Sequence, residues 1–88
     1  MSDLTFLEDA WEDYLYWQMQ DRRTLKRINQ LLQDILRNGL EGIGKPEALT
    51  GNLAGWYSRR IDEKNRLVYR IHHDKIEILA CRTHYGDR

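Results

Sequence analysis

The 88 residues carry 14 Lys+Arg against 14 Asp+Glu, 41% hydrophobic residues and one cysteine, which leads one to expect a single small domain over 1–88 with a single core. The lone Cys81 excludes an internal disulfide, and no apolar run approaches the roughly 18 residues of a membrane span. With no signal-peptide pattern at the start, the expected location is the cytoplasm, with no membrane partner.

Zero formal charge argues against a nucleic-acid partner, but the charges are unevenly placed. Residues 1–21 hold six acids and no Lys or Arg, so all 14 bases lie in residues 22–88 with the other eight acids. Such a distribution makes either a basic face that attracts phosphates or two ordinarily solvated faces of a neutral protein.

In chain order, Leu4–Leu7 is a short apolar run that fits a first strand. Glu8 and Asp9 suit the opening turn of a helix, where carboxylates meet the positive end of its dipole. Trp11, Tyr14, Leu15 and the flanking Tyr16-Trp17 continue it to about Gln20, and this aromatic cluster is expected in the core. Asp21 is placed to cap a second helix from Arg22 to Arg37, ended by Asn38-Gly39. Leu25, Ile28, Leu31, Leu32, Ile35 and Leu36 form its apolar stripe. Its first turns carry Arg22, Arg23, Lys26 and Arg27, unfavourable beside a positive helix end, so a phosphate contact or pairing with the acidic first helix is expected of them. The two form a helical hairpin over about 8–38.

Residues 39–55 hold five of the six glycines and the only proline, Pro46, and read as one ordered loop. Within it Glu47 follows the fixed φ of Pro46. Trp56–Asp62, Arg66–His72 and Lys75–Thr83 then read as strands joined by hairpin turns, in a sheet region of about 56–85. The expected fold is α+β, with two N-terminal helices packed on a small twisted, mainly antiparallel β-sheet.

Three reactive types occupy the C-terminal half: a carboxylate at Glu47, guanidiniums at Arg59, Arg60, Arg66, Arg70 and Arg82, and the imidazole of His84. RNA cleavage without a metal uses such a set. A base takes the 2′-hydroxyl proton, cations stabilise the phosphorane, and an acid protonates the leaving 5′-oxygen. Structural ion pairs imitate the same composition. Cys81 and His84 stand at a ligand-like spacing, but no second Cys-x-x-Cys or His-x-x-x-His pair completes a tetrahedral site, and no cofactor motif is present. Cys81 reads as a small buried strand residue, and His72-His73 as solvated turn residues.

Five stretches together resemble the YoeB toxins of the RelE/ParE superfamily: Trp11–Trp17, Gly42–Leu49, Leu53–Ile61, Arg66–Tyr69 and Ala80–Tyr85. The resemblance runs from about Phe6 to Tyr85, and the Gly-Lys-Pro-Glu loop combined with the terminal His-Tyr is its specific part. It implies the toxin of a type II toxin–antitoxin system, a ribosome-dependent mRNA endonuclease that cuts in the A site. On that mapping Glu47 is the general base, Arg66 the phosphate clamp and His84 the general acid, while Tyr85 orients a nucleotide and Arg60 and Lys45 contact phosphate. The implied partners are a Phd/YefM-type antitoxin, the ribosome with its mRNA, operator DNA only through the antitoxin complex, and a second copy in a homodimer. No cofactor or metal is implied.

The sequence departs from this pattern at Thr50, where a lysine is expected, and at Leu7, where a small polar helix cap is expected. Gly86-Asp87-Arg88 extends past the His-Tyr, and Asp87 would favour the imidazolium of His84 or fold away from it. The other classes open to such a chain are a ParE-like toxin that blocks a protein target without cleavage, and an antitoxin-bound corepressor.

Overall fold

A computed structural model describes residues 3–83, with Thr83 described through its backbone. The elements are β1 (Asp3–Phe6), α1 (Glu8–Gln20), α2 (Arg22–Asn38), β2 (Glu47–Ala48), a 3₁₀ turn (Gly51–Leu53), β3 (Tyr57–Arg60), β4 (Arg66–His72) and β5 (Lys75–Thr83). Among the described residues the five strands form one sheet in the order β1-β5-β4-β3-β2. β1 runs parallel to β5, and the remaining pairs are antiparallel.

The helices begin and end for different reasons. Leu7 precedes α1 and caps nothing through its side chain, so Glu8 and Asp9 in the first turn supply the favourable charge there. Asp21 caps α2 by accepting from the backbone N–H groups of Arg23 (3.1 Å) and Thr24 (3.2 Å). Gly39 ends α2 at φ 68°, a left-handed conformation that needs no Cβ to be accommodated. Tyr14 Oη donates to Asn29 Oδ1 at 2.8 Å, tying the two helices together as a hairpin.

Ile28, Leu31, Leu32 and Ile35 of α2 pack with Ala10 of α1 against Leu67, Tyr69, Ile76, Ile78 and Cys81 of the sheet. Each such aliphatic side chain fully buried contributes roughly 1.5–3 kcal/mol. Leu36, at the margin of the expected stripe, is exposed. The aromatic cluster of α1 divides in the same way. Tyr14 and Trp17 pack against the core, whereas Trp11 (48%) and Tyr16 (37%) are exposed, because residues at consecutive helical positions cannot all face one side.

Two strand boundaries differ from expectation. Residues 39–55 contain β2 and a 3₁₀ turn, and a two-residue strand has no alternation by which to recognise it. β3 stops at Arg60 because Asp62 folds the chain back, its Oδ1 accepting from the N–H groups of Lys64 (2.8 Å) and Asn65 (2.7 Å). At the other hairpin His73 (φ 49°) and Asp74 (φ 62°) make the tight turn, with His72 and His73 exposed.

β5 carries the irregularity that matters most for the site. From His72↔Lys75 to Tyr69↔Ile78 its pairing with β4 is regular, but Val68 pairs with Ala80 and Arg66 with Thr83. Two extra residues have been inserted into β5 along that interval, each a β-bulge. A regular ladder would bring residue 81 opposite Arg66; the bulged one brings residue 83.

Candidate functional site

The two faces of the sheet are assigned by register, since cross-strand partners share a face and neighbours along a strand alternate. Tyr57, Arg59, Leu67 and Tyr69 face the helices. Glu47, Ser58, Val68 and Ala80 line up across β2, β3, β4 and β5 on the opposite, outer face, with Arg60 and Arg66 paired one step further along. By strand spacing, Glu47 and Arg66 stand roughly 10 Å apart across the sheet and about 7 Å along it, within reach of one substrate phosphate for side chains of their length.

The segment after β2 folds over this outer face. Leu49 N–H donates to the Trp56 carbonyl at 2.9 Å, and Leu49 with Val68 and Ala80 forms a second apolar cluster flanked by Leu53, Trp56 and Leu79. That cluster walls one side of the row containing Glu47, Ser58 and Arg66. On its floor, Ser58 Oγ and Arg66 Nε are buried with no hydrogen-bond partner among the described residues. Leaving a buried polar group unpaired costs about 1–3 kcal/mol, so the Arg66 N–H is a donor that an anionic group placed on this face would satisfy.

The other residues singled out by sequence divide into those brought to this face and those not. Glu47 is exposed on the edge strand β2. Arg60 is exposed on β3, its backbone N–H donating to the Gly44 carbonyl at 2.6 Å and its own carbonyl accepting from Arg27 Nη2 at 3.3 Å. That second bond brings one of the α2 bases to the site's margin. Lys45 is exposed and held at φ 51° between Gly44 and Pro46. Thr50 is exposed, and its side chain caps nothing. His84, Tyr85 and Asp87 lie outside the described residues; β5 pairs with Arg66 at Thr83, the residue immediately before His84.

Arg59 is the residue whose part composition concealed. It is fully buried on the helix-facing side. Its Nε donates to Tyr69 Oη (3.1 Å), Nη1 to Asp34 Oδ2 and the Ile43 carbonyl (3.0 Å), and Nη2 to the carbonyls of Gly39 (2.8 Å) and Glu41 (2.7 Å). Every donor of this guanidinium is used, and three of its five bonds hold the glycine-rich segment 39–44 that leads into Glu47, so Arg59 shapes the site from behind. Asp34 also accepts from the Ile43 N–H (3.0 Å) and Asn38 Nδ2 (2.8 Å), and the Arg59 bond holds its carboxyl below the usual range. The alternation of β3 carries the signal: Arg59 shares a parity with Tyr57, and Ser58 shares one with Arg60.

Arg70 lies on the outer face beyond Val68, bonded to Glu77 Oε1 at 2.6 Å with its guanidinium 4.4 Å from the Trp56 ring centroid. Arg82 stacks over the Tyr16 ring at 3.6 Å, which takes it away from Arg66 and gives it a packing partner on α1.

An open, mostly antiparallel sheet with two helices on one face is the architecture of the small RelE-like toxins. The family model described as "YoeB-like toxin of bacterial type II toxin-antitoxin system" matches residues 6–85. The chain is 52% identical to Toxin YoeB of Escherichia coli K12 over 82 residues, covering 93% of this chain and 98% of that protein. Among solved structures, a YoeB/ParE toxin from Agrobacterium tumefaciens superposes with a TM-score of 0.91 at 40% identity, covering 94% of this chain and 99% of that one. A Staphylococcus aureus YoeB in a heterotetrameric YoeB–YefM complex gives 0.88 at 51% identity over 97% and 99% of the two chains, and the same organism's YoeB dimer gives 0.89 at 52% over 96% and 98%. The chain therefore belongs to the YoeB-like toxins of bacterial type II toxin–antitoxin systems.

Proposed function

We propose that this toxin is a ribosome-dependent endoribonuclease that cuts mRNA in the A site by metal-independent attack of a ribose 2′-hydroxyl on the adjacent phosphorus. The observation that carries the reading is that Glu47 stands on the same sheet face as the cross-strand pair Arg60↔Arg66, with Arg66 Nε buried and unpartnered there among the described residues.

In this mechanism Glu47 accepts the 2′-hydroxyl proton as the oxygen attacks phosphorus. Arg66 donates to the phosphate, where charge builds as the bond to the 5′-oxygen breaks, and the ligand satisfies an N–H that folding left unpaired. His84 protonates the departing 5′-oxygen, Tyr85 stacks on a nucleotide, and Arg60 and Lys45 bind flanking phosphates. The products are a 2′,3′-cyclic phosphate and a 5′-hydroxyl, with the proton taken by Glu47 balanced by the one His84 gives. The proposed partners are a Phd/YefM-type antitoxin, through which the complex reaches operator DNA, and a second toxin copy. The S. aureus heterotetramer and dimer support both.

The test is a purified translation system programmed with a defined mRNA. Wild type cuts at the A-site codon, while Glu47→Gln, Arg66→Ala and His84→Gln lose about 10²-fold or more in rate. Intact mRNA with wild-type toxin, together with inhibition of a protein target such as gyrase, would instead make this a binding toxin.

A further inference from the structure

The end of β5 is held by groups for which the cleavage reaction has no direct use. β1 pairs with β5 only as far as Phe6↔Ile78, with one further bond from the Leu7 N–H to the Ile78 carbonyl (3.0 Å). Among the described residues that edge of β5 has no strand partner beyond residue 78, and α1 takes the place of β1. The backbone N–H of Cys81 donates to Asp13 Oδ2 at 3.0 Å, and Trp17 Nε1–H donates to the Cys81 carbonyl at 2.8 Å. One residue's N–H and C=O point to the same side of a strand, so two side chains one helical turn apart take both polar groups of a single residue. Asp13 is itself 93% buried, which is rare for a carboxylate unless its bonds are worth the desolvation. Tyr16, on the same helix, carries the guanidinium of Arg82.

Cys81 sits inside the second bulge. It and Arg82 stand between the Val68↔Ala80 and Arg66↔Thr83 pairs, two residues of β5 spanning the interval that Leu67 alone occupies on β4. In the regular register residue 81 would lie opposite Arg66, two residues before Thr83. The bulged register brings the chain to Arg66 at Thr83. The residue that follows is His84.

We infer that Asp13 and Trp17 are positioning residues for the general acid: by gripping both backbone groups of Cys81 from α1 they lock the bulged register of β5 and set where the chain delivers His84 relative to Arg66. The inference rests on the nuclease reading for its consequence, but the grip on Cys81 is testable without it. It also gives the acidic first helix a part in the reaction from the side of the sheet opposite Glu47 and Arg66.

The experiment pairs two measurements on Asp13→Ala, Asp13→Asn and Trp17→Phe. Trp17→Phe keeps a ring and removes the donor; Asp13→Asn keeps an acceptor oxygen in place. Amide hydrogen exchange of Cys81 is slow in wild type and in Asp13→Asn, and accelerates in Asp13→Ala. Single-turnover cleavage of ribosome-bound mRNA at saturating complex falls about 10–100-fold in Asp13→Ala and Trp17→Phe, with KM unchanged within about twofold and Asp13→Asn restored to near wild type. A merely structural role would lower the melting temperature while leaving the saturated rate of the folded fraction alone, and that outcome overturns the inference. So does rapid exchange of the Cys81 amide in wild type. If Asp13→Ala does not fold, Trp17→Phe and Asp13→Asn decide by the same criteria. Slow Cys81 exchange in a wild-type protein that does not cut mRNA refutes the nuclease reading and, with it, the assigned consequence, while leaving the grip itself established.

Discussion

Arg59 and Arg66 show how little the identity of a side chain says about its task. Both are arginines on adjacent strands, one position out of phase in register. Arg59 points toward the helices, where its guanidinium closes five hydrogen bonds. Arg66 points outward and keeps a buried Nε unpaired among the described residues. The two respond oppositely to truncation. Arg59→Met strips the partners from Asp34, Tyr69 and three backbone carbonyls, and urea unfolding registers a loss of about 3–5 kcal/mol. Arg66→Met removes an unsatisfied donor, so it keeps wild-type stability or gains up to about 1 kcal/mol, while on the proposed mechanism cleavage in the translation system is lost. A large destabilisation by Arg66→Met would mean that its guanidinium is a structural tie. Hydropathy ranks these two residues alike; strand parity separates them, and only the sheet register says which neighbours each one meets.

At the scale of elements, the segment before Glu47 and the end of β5 are both irregular, and each is irregular for a reason. The glycine-rich segment must pass close behind Arg59 and Asp34. Gly42 (φ 128°) is so near that a Cβ there would lie 1.9 Å from Asp34 Oδ2. Gly42→Ala therefore has to displace the carboxylate that Arg59 holds. It costs on the order of 2 kcal/mol in unfolding experiments, and on the proposed mechanism it lowers cleavage because Glu47 follows on the same segment. Gly51→Ala meets nothing within 4 Å, so it registers only the strain of φ 65° and stays milder. The 39–55 region read as a loop because glycine and proline dominate it. That β2 forms there at all depends on β3 offering Ser58 and Tyr57 as partners, which no local pattern encodes. The bulges of β5 are equally silent, since Ile78–Cys81 reads as an apolar run under any register.

Among the described residues, three carboxyls held below their ordinary values shape the response of the whole molecule to acid. Asp21 is lowered first by its bond from the Thr24 hydroxyl, Asp34 by Arg59 and Glu77 by Arg70. A depressed folded pKa means that the unfolded chain binds protons first. The stability these groups contribute is therefore complete above their ordinary values of 3.8, 3.8 and 4.5, and is lost as pH falls through the lower folded values. The urea midpoint should hold steady from neutrality to about pH 5 and fall steeply below pH 4. Asp34→Asn, already less stable at neutrality, should fall less steeply. An equally steep fall in that variant would remove Asp34 from the account.

Local residue patterns were enough to read the two helices with their Asp21 and Gly39 boundaries, β4 and β5, the α+β class, and the family through the Gly-Lys-Pro-Glu and terminal motifs. These are local matters: periodicity, capping chemistry and contiguous residues. Tertiary structure alone decided that Arg59 is a buried tie and that Ser58 joins Arg66 on the floor of the site. It also decided that Trp11 and Tyr16 stay at the surface and that β5 slips by two residues before it reaches Arg66. Each of those depends on which backbone groups from distant parts of the chain remain unpaired until another element supplies their partners, and a linear pattern carries no record of that.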